Sequence, residues 1–260
     1  MPLTTRSPDA WNGVKSEEAP EFVFKHPVFQ FAAFNALSFQ TVLGAPMLLY
    51  AKELGAGATV LGLITGLLPL LVVLQIPAAR HVNRFGYKRF VLTGWSIRTA
   101  FILLIAAVPL FGRSFSNGTK LIGIVALLFL YNLVRGISSC AWLPWISSIV
   151  PANARGRFLL REAAMINVAS ILSLCMAALL LGSDPQPRNF ALLFFFGASA
   201  GFVSLLALRR IPEESNPAGL LDSVTPVRLS LMLESIPFRR LLYLNVAWGL
   251  AGGGVLAFVV

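Results

Sequence analysis

The sequence predicts an all-α integral membrane protein with seven apolar helices. Three observations predict it. Of the 260 residues, 57% are hydrophobic and only 12% are charged, where soluble domains carry about 45–50% and about 25%. No soluble core of this size hides so much apolar surface, so lipid is the expected solvent for much of the chain. The apolar residues are gathered into runs of about 20, the length that crosses a ~30 Å hydrocarbon layer as a helix. These runs are continuous, without the ~10-residue alternation of a membrane β-barrel.

Residues 1–27 form a polar tail in which Asp9, Glu17, Glu18 and Glu21 mix with Arg6, Lys15 and Lys25. A cleavable signal would begin with a short basic stretch and reach its apolar core early, so the first apolar run is expected to stay as an anchor. The seven runs cover 28–51, 58–79, 90–111, 121–150, 163–182, 190–208 and 241–260. The fourth is long enough to tilt or to extend beyond the membrane. The first six make one bundle (28–208). A linker (209–240) follows, and then the first helix of an incomplete second bundle (241–260). Within the linker, 227–236 mixes Leu, Met and Val with Arg228 and Glu234. That composition suits a short interfacial helix, and an irregular linker is the alternative.

The basic residues orient the chain. With the N-terminus inside, the tail and inner connections hold fifteen: Arg6, Lys15, Lys25, Arg80, Arg84, Lys88, Arg89, Arg155, Arg157, Arg161, Arg209, Arg210, Arg228, Arg239 and Arg240. The outer connections hold four, Lys52, Arg113, Lys120 and Arg188. Translocating positive charge is disfavoured, which places the N-terminus in the cytoplasm and the chain in the cell (inner or plasma) membrane. The net charge of +10 is then largely a topology signal. Scattered between apolar runs, it implies no nucleic-acid partner.

Shifting the chain by 210 residues lays Pro27 on Pro237, Asn35 on Asn245 and Gly44 on Gly254. The matches fall where a six-plus-six parallel repeat would put them. The chain stops at Val260 inside an apolar run, so a longer protein is expected, whose carboxy-terminal half is the main partner of this part.

Between the second and third runs, residues 79–89 read Ala-Arg-His-Val-Asn-Arg-Phe-Gly-Tyr-Lys-Arg. Read plainly, this is a short turn with positive-inside residues. The stretch also resembles the motif between the second and third helices of the major facilitator superfamily. It keeps Arg84, Gly86, Lys88 and Arg89, with Ala79 in place of the first Gly and Asn83 in place of the acid. Arg135 in the fourth run, and Arg155 and Arg157 in the loop after it, match the same family. The fifth run lacks the Gly-Pro signature of drug–proton antiporters. The resemblance covers about residues 25–260. It implies a six-helix major-facilitator-type bundle plus a seventh transmembrane helix. It also implies alternating-access transport of a small solute without a cofactor, and a cytoplasmic gate at Asn83, Arg84, Gly86, Lys88, Arg89, Arg155 and Arg157.

Within the membrane a charged side chain costs about 2.5–3.5 kcal/mol on insertion scales, so it usually faces a cavity. Arg135 shares a helical stripe with Tyr131, Asn132, Ser138, Ser139 and Trp142, at spacings of three, four and seven. That stripe fits the wall of a substrate path; a structural arginine bonded to helix carbonyls is the alternative. Arg98 lies near its helix end and is expected to snorkel. Asn35 and Ser38 share a face of the first helix, with Gln40 and Thr41 pointing elsewhere. Asn167 pairs with Ser170, and Asn245 repeats Asn35. These residues line a cavity or join helices. Trp142 and Trp145 read as interfacial anchors.

No acid lies in the centre of a run, and Glu162 sits at the mouth of the fifth. An arginine without an acidic partner leans toward an anionic or polyhydroxylated solute. Cys140 and Cys175 lie within apolar runs and read as packing residues. With only His26 and His81, both isolated, the inventory is thin for a membrane enzyme and holds no metal cluster. A non-transporting sensor or assembly subunit is the other reading.

Overall fold

The computed structural model describes residues 27–111, 114–150, 154–182 and 185–211, followed by 234–237, 239, 240, 243, 244 and 247. Residues 1–214 form one compact unit and 215–260 a second. Asn245 and most of the seventh run lie outside the described residues, and so does the side chain of Asn83.

Among the described residues the structure is helical and contains no strand. In chain order the helices are α1 (Pro27–Leu43), α2 (Ala45–Glu53), α3 (Ala58–Val72), α4 (Gln75–Phe85), α5 (Tyr87–Ala107), α6 (Asn117–Ser138), α7 (Trp142–Ile149), α8 (Arg155–Leu181) and α9 (Pro187–Arg210). Five stretches are long and apolar enough to cross a membrane: Pro27–Glu53, Tyr87–Phe111, Asn117–Ile149, Arg155–Leu181 and Pro187–Arg210. A sixth span is bent by 43° between Ala58–Val72 and Gln75–Val82. The outer faces carry large apolar side chains, such as Leu179 at 82% and Ile122 at 73% exposure. Exposing such side chains to water would forfeit about 1.5–3 kcal/mol each. They face lipid, and the chain reads as a multi-pass membrane protein.

Three of the six spans are broken, and each break has a proline just beyond it. Pro46 lies at the start of α2, Pro77 near the start of α4 and Pro144 near the start of α7. Proline lacks an N–H and its ring clashes with the carbonyl four residues back, but it is tolerated in a first helical turn. Each helix therefore stops and restarts. Between α6 and α7 the chain tightens into a 3-10 turn over Ser139–Ala141. Gly86 joins α4 to α5 in a single residue at φ +79°, a conformation that suits glycine. The expected turn at 79–89 is thus mostly helix, with its break at Gly86.

α1 packs against α9 and α8, α5 against α9 and α6, and α3 against α6. Close approach uses small residues, as is common between membrane helices. Gly197 of α9 faces Thr41 of α1, Gly201 faces Ser38 and Thr99, and Gly136 of α6 lies on the backbone carbonyl of Leu71. Two apolar clusters result. One gathers Met47, Tyr50, Leu128, Leu193 and Phe194. The other gathers Val28, Val91, Trp145, Ile146 and Leu208. The first holds the end of the first span and the start of the last, and the second holds the reverse. Successive spans therefore run in opposite directions.

Candidate functional site

Between the two clusters lies a cavity of about 350 Å³. α1 supplies Phe31, Asn35, Phe39 and Gln40, and α5 supplies Trp95 and Arg98. Arg135 comes from α6, Ser139 from the 3-10 turn, Trp142 from α7, and Glu162 and Ser170 from α8. A second cavity of similar volume, between α5 and α6, is lined mainly by Phe85, Phe90, Ile97, Val134 and Ile137. Its lining is apolar apart from Arg89, Thr93 and Ser138, so the polar chemistry belongs to the first.

Arg98 is 4% exposed. Its Nη2 donates to the Tyr131 hydroxyl at 2.7 Å, and its guanidinium lies over the rings of Trp95 at 4.5 Å and Tyr131 at 4.9 Å. Its Nε is buried without a partner. Arg135 is half-buried, and its guanidinium stacks 5.0 Å from the Phe39 ring centroid. Such cation–π contacts contribute about 0.5–2 kcal/mol. Neither arginine forms an ion pair among the described residues. Glu162, from α8, shares the cavity lining with Trp142 of α7.

The cavity walls are tied together by side-chain bonds. Trp95 Nε1 donates to Asn35 Oδ1 at 3.0 Å, fastening α5 to α1. Gln40 Nε2 donates to Ser170 Oγ at 3.2 Å, fastening α1 to α8. One turn further along, Thr41 and Ser173 share a buried hydroxyl contact at 3.0 Å.

Of the residues expected to line a path, Asn35, Arg135 and Ser139 border this cavity. Tyr131 is buried and acts through Arg98. Ser38 instead faces Gly201 of α9. Asn132 is buried and donates to the Leu128 carbonyl, and Asn167 is exposed away from the cavity. Gln40, expected to point elsewhere, lines it. Arg98 does not snorkel, because Tyr131 and Trp95 hold it inside the bundle. Trp142 lines the cavity and Trp145 is buried, so neither is an interfacial anchor. Glu162 lies well inside α8, which begins at Arg155, and faces the cavity rather than a mouth.

Arg84, Arg89 and Arg157 are exposed and Lys88 is half-buried. Arg155 donates from Nη2 to the Ser147 carbonyl at 2.7 Å and from Nε to the Val150 carbonyl at 3.1 Å. It thereby caps the end of α7. The chain matches no family profile, no curated protein and no solved structure.

Proposed function

We propose that residues 27–211 form one bundle of a secondary transporter that moves a small solute by alternating access, as the resemblance to the major facilitator superfamily implies. The N-terminus lies in the cytoplasm, on the side where the basic connections gather. The observation that carries this reading is the mid-bundle cavity, where two unpaired arginines, a glutamate and two side-chain amides converge between apolar layers. A soluble-type core would not place them there, and lipid would not solvate them.

The helix order supplies a second support. Exchanging the first three spans for the last three maps α1 on α9 to α6 on α5, maps α1 on α8 to α6 on α3, and returns α5 on α9 to itself. The first and fourth spans, which correspond under that exchange, are both broken. Three spans per repeat is an odd number, so the second repeat is inverted, an arrangement common among carriers.

Cysteine labelling tests the proposal. With Cys140 and Cys175 replaced by Ser, a Ser139→Cys chain is treated with an impermeant thiol reagent, in intact cells and in inside-out vesicles. Ser116→Cys and Gly156→Cys report the two surfaces. Labelling of the Ser139 position from both sides is expected. Labelling from one side alone, or from neither while the surface cysteines react, refutes alternating access.

A further inference from the structure

We propose that the cavity binds a small organic monocarboxylate. Arg98 and Arg135 hold its anionic group, and its planar apolar body lies against Phe39 and Trp142. The proposal rests on the transport reading and names the substrate class of that site.

Charge carries it first. The cavity is lined by three titratable side chains, Arg98, Arg135 and Glu162. Glu162 forms no ion pair with either arginine among the described residues. With Glu162 ionised, the wall presents one net positive charge. A monoanion brings the site to neutrality, a dianion overshoots, and a cation adds to the deficit. Buried charge left without an opposite charge is costly, and the cost falls when a ligand supplies one.

Hydrogen bonding carries it second. Arg98 Nε is buried with no acceptor, in a residue 4% exposed. Arg135 has no side-chain hydrogen-bond acceptor among the described residues; its guanidinium only stacks on Phe39. A guanidinium offers paired N–H groups in a planar fork that matches a carboxylate. The ring contacts fix the orientation of both guanidiniums, and only one Arg98 donor, on Nη2, is taken, by the Tyr131 hydroxyl. The donors are thus held ready.

Shape carries it third. Phe31, Phe39, Trp95 and Trp142 supply aromatic walls, and Ala32 and Ala36 leave the space in front of them open. At about 350 Å³ the cavity is at the small end of ligand sites, ~300–1,000 Å³.

The test is equilibrium binding to the purified full chain in lipid nanodiscs, read by calorimetry. The probes are benzoate, neutral benzamide, cationic benzylamine and dianionic terephthalate. Benzoate is expected to bind at least about 10-fold more tightly than the other three. Arg135→Gln is expected to weaken benzoate about 10-fold or more, with partial recovery in Arg135→Lys. Arg135 holds no side-chain hydrogen bond and only stacks on Phe39, so Arg135→Gln keeps the fold with at most a modest drop in melting temperature, and an intact helical spectrum verifies it. Arg98→Gln gives an independent second reading. Equal binding of benzamide, preference for benzylamine or terephthalate, unchanged affinity in Arg135→Gln, or binding of none of the four overturns the proposal. Benzoate binding together with one-sided labelling at position 139 would sink the transport reading and leave the ligand class standing.

Discussion

Replacing Tyr131 by Phe removes one hydroxyl and leaves the ring. The lost interaction is the 2.7 Å bond from Arg98 Nη2, while the ring beneath the guanidinium at 4.9 Å keeps its cation–π contribution. A hydrogen bond to a charged group contributes about 1.5–3 kcal/mol in soluble proteins. Interhelical bonds in membranes average about 0.6 and reach about 1.7 kcal/mol. Arg98 borders the cavity, so the freed Nη2 can take a water, which lowers the cost. Together these place the loss at ~1–1.5 kcal/mol. Arg98→Met keeps the stem and removes the charge, and in that background Tyr131→Phe should cost less than about 0.5 kcal/mol. The assay is reversible unfolding in mixed micelles for the four proteins of the cycle. Equal costs of Tyr131→Phe in both backgrounds would show that Arg98 is not what the hydroxyl holds, and the account of the site would fail at its centre.

Two further changes probe the packing that shapes the cavity. Gly136→Ala sets a methyl against the Leu71 carbonyl and should destabilise by about 1–3 kcal/mol, the usual overpacking cost. Gly123→Ala, in the same helix with nothing within 4 Å, should be neutral or stabilising by up to ~1 kcal/mol; the same unfolding assay reads both, and equal effects would refute the close approach of α6 to α3. Arg155→Ala removes two bonds to the carbonyls of Ser147 and Val150. Amide exchange at residues 147–150 should then rise roughly tenfold, equivalent to about 1.4 kcal/mol, and unchanged exchange would deny Arg155 its capping role.

The spans were legible because lipid demands continuous apolar runs, and that demand is written residue by residue. Their breaks were also written, in Pro46, Pro77 and Pro144, but a hydropathy reading averages over single residues and misses them. Facing was legible only within a helix. The α6 stripe put Arg135 and Ser139 on one face, and both line the cavity, yet the sequence does not say which neighbour a face meets. Ser38 turns to α9 because Gly201 makes room there, and Gln40 turns to Ser170 instead. Arg98 was judged by its distance from a helix end, when its partner, Tyr131, lies on another helix. Glu162 was misplaced for a simpler reason. Its helix begins at Arg155, and Arg155, Arg157 and Arg161 interrupt the apolar residues 158–160 of its first two turns.

The same cavity sets a constraint on how tightly a solute can be held. Two arginines at this depth cost about 2.5–3.5 kcal/mol each on insertion scales, and far more where no water reaches them. Stacking on aromatic rings offsets part of that, and one hydroxyl satisfies one donor of Arg98. The rest needs water or a solute, and about 350 Å³ has room for on the order of ten water molecules at ~30 Å³ each. A solute entering must replace the hydrogen bonds of the water it displaces, or it loses affinity. A site with two free arginines and no acid would bind an anion too firmly to release it, whereas transport needs binding that is favourable yet reversible. Glu162, another part of the same lining, trims the field to a single positive charge when it is ionised. Under the transport proposal, Glu162 would keep the arginines from becoming a trap.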